Sequence, residues 1–328
     1  MKTLSHSIYA PNPYGHGGEK RSRQLQEWHT KNGIELIPLE LKPKERLSIA
    51  ALWHSFWLML RVYGCQGWKS LYVFMRHVKN ISLIYNQLDA YFQVECVDAF
   101  YWESTRDQWY ILPYLAKKYN KQVVAFPHNL EALVGGQKSF LFTWNAEERF
   151  ARELAVLRDC EKVYAISNEE TWLLQLMGVN ASSLLYELPS AVKEQCNKVA
   201  ELRKQSSKDY YLMLGSAINP PTRIGMEEVL KAWDNSVPLV VAGFGTEQLK
   251  QYESGEIRII GGVVDEQLLD LQVHCKALIV NQPATTGALT RIEEFLAAEI
   301  PIYANENSIR SYRNRDGIKI VNSIKEIM

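Results

Sequence analysis

The sequence predicts an α/β protein of two doubly wound units, each a parallel sheet with helices on both faces. Three observations predict it. Short apolar runs alternate with amphipathic segments of helix length, as expected of strands buried on both faces and the helices that cross between them. The 328 residues are enough for about two domains of ~150 residues each. Gly215, Gly243 and Gly261 each close an apolar run, where a chain turns sharply out of a strand.

The N-terminal half reads as a strand at Leu4–Tyr9, a glycine-rich turn, a helix from about Glu19 to Lys31, and a strand at Ile34–Leu39. Residues 47–85 are mostly helical and rich in aromatics. The most apolar stretch, Ile49–Leu60, carries His54 and runs into Arg61. It is shorter than the ~20 residues that cross a bilayer, so it reads as a buried or interfacial helix. Strands are expected at Val94–Phe100, Val123–Phe126, Val163–Ile166 and Leu184–Leu188, with helices at 105–119, 145–159 and 168–177. The polar stretch Pro189–Lys208 reads as a linker, giving domains 1–195 and 196–328. The C-terminal half then alternates strands at Tyr210–Leu214, Val237–Ala242, Ile257–Ile260, Ala277–Val280, Ile300–Tyr303 and Ile318–Val321 with helices at Gly225–Trp233, Glu247–Tyr252, Glu266–His274 and Ala288–Ala298.

Composition narrows the class. Hydrophobic residues make up 47%, and 37 Lys+Arg balance 37 Asp+Glu. That excludes a disordered chain and a protein held on nucleic acid by bulk positive charge. Neutrality is a cancellation, because residues 1–80 hold 12 basic and 5 acidic side chains and the rest carry the opposite excess. The five cysteines are odd in number and show no CxxC pair, so neither a disulfide framework nor a structural zinc is expected. They read as buried small hydrophobes. The first residues lack the apolar core of a secretory signal, and a cytoplasmic location is expected. No DxD, HExxH, Walker A or GxSxG pattern occurs, and no metal or cofactor is expected.

Three motifs carry candidate chemistry. In Tyr14-Gly15-His16-Gly17-Gly18-Glu19-Lys20, Gly17 and Gly18 precede a helix whose free N–H groups suit a phosphate; an ordinary strand–helix turn is the alternative. In Phe126-Pro127-His128-Asn129-Leu130-Glu131, His128 follows a strand, where open α/β sheets bind ligands; an imidazole satisfied by its own loop is the alternative. In Thr285-Thr286-Gly287-Ala288-Leu289-Thr290-Arg291-Ile292-Glu293-Glu294, Thr286 is a candidate helix cap. Arg291 and Glu294 share a face and suit a diphosphate and a ribose diol, with an i,i+3 surface ion pair as the alternative.

Taken in this order, the motifs resemble the retaining GT-B glycosyltransferases of the glycosyltransferase 4 family. GGEKRSRQLQEW is similar to that family's glycine loop and first helix, and FPHNLE to its histidine loop. Asp159–Ser167 is similar to its D-x-V-x-A-x-S strand, GGVVDEQLLDLQ to the loop around the base, and GALTRIEEFLAAEIPIYA to the donor-binding helix. The resemblance implies a GT-B fold of two Rossmann-like domains facing a central cleft, and metal-independent transfer from a nucleotide-sugar substrate to a glycan or lipid-linked acceptor. It places Glu294 on the ribose, Arg291 on the diphosphate and His128 beside the transferred sugar. It puts Gly17, Gly18 and Gly287 against phosphate or sugar, and Val263 and Val264 around the base. Gly215 and Ser216 stand where the family has a phosphate loop, and Arg223 is the basic residue nearest to its missing Arg/Lys pair. Thr286 stands where the family often has a Glu, Glu299 replaces a turn glycine, and the chain stops at Met328 after its last strand. These departures motivate two alternatives, a non-catalytic GT-B-like binding subunit and a GT-B-fold sugar-nucleotide epimerase. Finally, Trp53, Phe56, Trp57, Tyr63, Trp68, Tyr72 and Phe74 interleave with Arg61, Lys69 and Arg76. Residues 42–80 are therefore expected to rest on an anionic membrane, on its inner face, or else to form a core helix pair with solvated basic edges.

Overall fold

A computed structural model describes residues 2–43, 47–94, 96–234, 236–313 and 315–327. Residues 44–46 of the basic segment, residue 95 of an expected strand, and Met328 lie outside the described residues. The chain divides into two compact units. Unit 1 is Met1–Ala10, Leu25–Leu133 and Gln137–Leu185, and unit 2 is Pro11–Gln24, Val134–Gly136 and Tyr186–Met328.

Unit 1 is built on β1 (Lys2–His6), β2 (Glu35–Pro38), β3 (Ala99–Glu103), β4 (Gln122–Phe126), β5 (Lys162–Ala165) and β6 (Ala181–Ser183). They form one parallel sheet in the order β2-β1-β3-β4-β5-β6. The order reverses between β1 and β3, so the loops beyond their carboxyl ends leave in opposite directions and open a crevice. Helix α1 (Gly17–Lys31) belongs to unit 2 up to Gln24 and to unit 1 beyond it. Helices α2 (Ile49–Tyr63) and α3 (Leu71–Phe92) start at Ser48 and Ser70, whose side chains accept the Ala51 and Val73 N–H; such caps satisfy donors a helix start leaves free. Helix α4 (Ile111–Lys118) carries Pro113 in its first turn, where no backbone donor is lost. A reciprocal Asn145/Glu148 cap opens α5 (Ala146–Arg158), and Ser167 caps α6 (Asn168–Leu176). Their apolar faces close a core around Phe92, Phe100, Trp102 and Leu112.

Unit 2 contains β7 (Tyr210–Leu214), β8 (Leu239–Ala242), β9 (Ile257–Gly261), β10 (Cys275–Val280), β11 (Ile302–Ala304) and β12 (Ile318–Ile320). This second parallel sheet runs β12-β11-β10-β7-β8-β9, the strand order of dinucleotide-binding folds, with its reversal between β7 and β10. Alternate β8 residues serve opposite cores: Val240 and Ala242 pack with Phe295 on one face, Leu239 and Val241 with Trp233 on the other. The helices are α7 (Ser190–Arg203), α8 (Pro220–Ala232), α9 (Asp265–His274), α10 (Thr290–Ala297) and the short α11 (Glu306–Ile309).

Several sequence expectations are corrected. Much of the expected linker is α7, and the 195/196 position falls inside it. Val192, Cys196, Val199 and Ala200 are buried and spaced as a helix stripe, which the polar average of the segment conceals. The strand expected at 94–100 lies at Ala99–Glu103, where all five residues are buried, and that expected at 184–188 is the earlier Ala181–Ser183. Residues 246–252 form a 3₁₀ rather than an α-helix. Thr286 does not cap α10, which begins after Leu289 without a side-chain cap. Cys65 and Cys96 are exposed, whereas Cys160, Cys196 and Cys275 are buried.

Candidate functional site

The strand-order reversal in unit 2 fixes where chemistry collects. Gly215 and Ser216 follow β7 directly, and Thr286 and Gly287 lie in the segment joining β10 to α10. Arg291, in the first turn of α10, lays its guanidinium against Gly215: a Cβ on that glycine would stand 3.1 Å from Arg291 Nη1 and 3.0 Å from Thr222 Cγ2. The glycine lets the guanidinium lie close to the backbone there. Burial lowers the Arg291 pKa to about 10, against the pull of Glu294, so the group stays charged at neutral pH. Its Nε finds no hydrogen-bond partner among the described residues. A partly desolvated cation with a buried, unused donor is costly, and functional sites concentrate such costs.

Glu294 sits one turn on, 5% exposed. Both its oxygens accept from Lys20 Nζ, at 2.8 and 2.7 Å. Lys20 lies in the first turn of α1, within the part that belongs to unit 2. No sequence motif singled it out as a ligand-binding residue. One signal was present: a cation in the first turn opposes the helix dipole, so its place there calls for a carboxylate partner. The pair lines a narrow cleft with Tyr14, Cys196, Asp265 and Leu268. Lys20 and Arg291 set two cations against the one carboxylate of Glu294. Nearby, Arg310 donates to the Gly287 carbonyl, and Gly287 holds the left-handed φ of 82° that this turn requires.

The remaining unit 2 candidates are distributed around this core. A Cβ on Gly17 would lie 3.2 Å from Thr290 Oγ1, so the glycine loop meets the start of α10 closely. The Gly18 N–H is used locally, donating to His16 Nδ1 at 3.1 Å. Arg223 is half-buried and turned to other partners, donating to Glu227 at 2.9 Å and to Gln248 at 3.1 Å. Val263 lines a separate groove with Arg258, Ile260 and Gln267 between β9 and α9, while Val264 is 66% exposed.

In unit 1, His128 follows β4 and is buried. Its ring stacks on Tyr9 at 5.4 Å, and neither ring nitrogen has a hydrogen-bond partner among the described residues. Nε2 stands 3.6 Å from Glu103 Oε2. The loop backbone therefore does not satisfy this imidazole. Tyr9 in turn accepts from Arg106 at 2.9 Å, and Arg106 Nε lies 3.7 Å from Glu131. Burial holds the neighbouring His6 neutral, its pKa lowered to about 4 against the pull of Glu103.

Glu153 of α5 holds the histidine loop from behind. It is fully buried and accepts the Glu131 and Ala132 N–H groups at 3.0 and 2.9 Å. Burial raises its carboxyl pKa to about 8, and Glu131 and Glu170 add to the rise. The folded chain thus keeps a proton that the unfolded chain releases above the ordinary carboxyl range. This stabilising contribution is complete at acid pH and is lost as pH rises through about 8. The melting temperature of wild type is expected to fall more over that window than that of Glu153→Gln; equal slopes in calorimetry would refute it.

No protein-family model matches the chain, and no curated protein sequence matches it. Solved structures do. Sucrose-phosphate synthase from Thermosynechococcus elongatus aligns with a TM-score of 0.64 at 12% identity, over 99% of this chain and 87% of that one. Anabaena HepE in complex with UDP and glucose aligns at 0.60 and 10% identity, over 100% and 88%. The catalytic domain of Arabidopsis thaliana starch synthase IV bound to ADP and acarbose aligns at 0.56 and 10% identity, over 97% and 86%. The fold is GT-B. At these identities the likeness is one of fold. Within this GT-B chain, the β7/β10 reversal brings Gly215, Arg291 and Glu294 together in unit 2.

Proposed function

We propose that the chain is a retaining, metal-independent glycosyltransferase of the glycosyltransferase 4 type. It would move a sugar from a nucleoside-diphosphate sugar to a glycan or lipid-linked hydroxyl, on the cytoplasmic side of a membrane. The observation that carries this reading is Arg291, a part-buried cation whose Nε is buried and has no partner among the described residues, set against a glycine at the strand-order reversal. The fold adds support, since relatives in structure hold UDP or ADP.

In this reading Arg291 binds the diphosphate and Glu294 the ribose hydroxyls. Ribose binding takes Glu294 oxygens from Lys20, and the released ammonium is then free to turn to the phosphates. Gly215, Ser216 and Gly287 allow close backbone approach. As the bond from the anomeric carbon to the diphosphate breaks, negative charge grows on the leaving phosphate, and fixed cations stabilise that charge most effectively. The acceptor oxygen attacks from the leaving-group face, and its proton passes to the departing phosphate. Thr286 offers the sugar a hydroxyl and no carboxylate nucleophile.

One observation favours a second reading. Both oxygens of Glu294 are already engaged, as they would be in a non-catalytic GT-B-like binding subunit. Thermal-shift titration with UDP-, GDP-, ADP- and CMP-sugars separates the two. One nucleotide class is expected to raise the melting temperature by about 5–10 °C at 100-fold over its Kd. Stabilisation by none supports the binding subunit. With the donor known, product NMR is expected to show the donor's anomeric configuration retained.

A further inference from the structure

We propose that the exposed face of the α2–α3 pair is a docking surface for an anionic lipid bilayer. The pair has two apolar faces. One packs into unit 1 through Ala51, Leu58, Met59, Tyr63, Phe74 and Val78. The other is open. On α2, Ile49, Trp53 and Trp57 recur at i, i+4 and i+8 and are 88%, 61% and 52% exposed. At the start of α3, Leu71 and Tyr72 are 76% and 71% exposed. Phe56 joins the two helices, packing on Trp53, Trp57 and Phe74. Large aromatic and aliphatic side chains gathered on one exposed surface mark an interaction site. Folding does not require them there, because the opposite face already supplies the core contacts.

Charge selects the occupant. From Leu47 to Leu88 the chain has no Asp or Glu, while Arg61, Lys69, Arg76 and Lys79 are all exposed. Arg76 also lies over the exposed Tyr72 ring, 5.7 Å from its centroid. Tryptophan, tyrosine and long basic side chains on one surface suit the boundary between lipid headgroups and acyl chains. A second copy fits poorly, because a two-fold contact would oppose basic face to basic face with no acid in the segment to offset it. Among the described residues no helix is long and apolar enough to cross a membrane, so the surface would lie on a bilayer. This inference stands apart from the donor site, and it would place the chain where lipid-linked acceptors reside.

The test is flotation of the full chain with phosphatidylcholine vesicles, with and without phosphatidylglycerol, at low and high salt. Binding is expected to anionic vesicles at low salt, with a blue shift of tryptophan fluorescence. Changing Lys69, Arg76 or Lys79 to Gln is expected to weaken partition about fivefold each. The double change Trp53→Ser, Trp57→Ser is expected to lower partition at least about tenfold. Circular dichroism and sedimentation check that each variant is folded and monodisperse. No binding of wild type at low salt would overturn the proposal, as would binding unchanged in both sets of variants. A dimer dissociated by the tryptophan changes, without flotation, would also overturn it and assign the face to a second copy. The nucleotide-sugar thermal shift of the same variants is expected to match wild type, so failure here is distinguishable from failure of the donor site.

Discussion

Changing Arg291 to Met is expected to abolish the thermal shift produced by the cognate nucleotide sugar and to lower kcat/KM by on the order of 10²–10³. Methionine keeps most of the side chain's packing and removes only the cation. A structural arginine would report its loss as instability. Here the opposite is expected. The Arg291 Nε is buried without a partner among the described residues, and Glu294 keeps Lys20 as its partner. The melting temperature of Arg291→Met is therefore expected to equal or exceed that of wild type, a trade of stability for function. Arg291→Lys is expected to recover only part of the activity, because a point charge does not replace a planar two-pronged donor. A variant that keeps donor binding and turnover would remove Arg291 from the site.

The second large effect is structural. Gly225→Ala is expected to destabilise unit 2 by about 3 kcal/mol or more. A Cβ at this position would stand 1.7 Å from the Asn281 carbonyl oxygen and 3.1 Å from the Gln282 Cα. These are backbone atoms of the segment leaving β10, and they cannot swing aside as a side chain does. Asn281 Nδ2 meanwhile donates to the Gly225 carbonyl at 3.2 Å and to Glu228 at 2.8 Å, so α8 and this segment are locked together. A loss of ~3 kcal/mol corresponds to a fall of about 6–12 °C in melting temperature for a unit of this size. A shift within a degree of wild type would show that the backbone relaxes freely here.

These two residues illustrate what the sequence makes legible. Arg291 was visible because its type, its spacing from Glu294 and its place at a helix start after an apolar strand all reflect local chemistry. Gly225 was visible only as the start of a helix, because its role depends on Asn281, which is 56 residues away. Lys20 shows the same limit. It stood inside a quoted motif, but its partner Glu294 lies 274 positions further on. Helix α7 shows another: average polarity made Pro189–Lys208 look like a linker, while four spaced residues bury it.

The sequence by itself determined the α/β class, most of the strands, and the types of residue available for binding an anion and a sugar. Hydrophobic period, glycine placement and residue chemistry are local properties, readable along the chain. Only the tertiary structure decided the order of strands in each sheet, and with it where the order reverses. It also decided that Arg291 lies against Gly215, that Lys20 holds Glu294, and that Trp53 and Trp57 face outward while Phe74 faces in. The reason is physical: these arrangements follow from long-range packing, where residues far apart in the chain compete for the same space and the same charges.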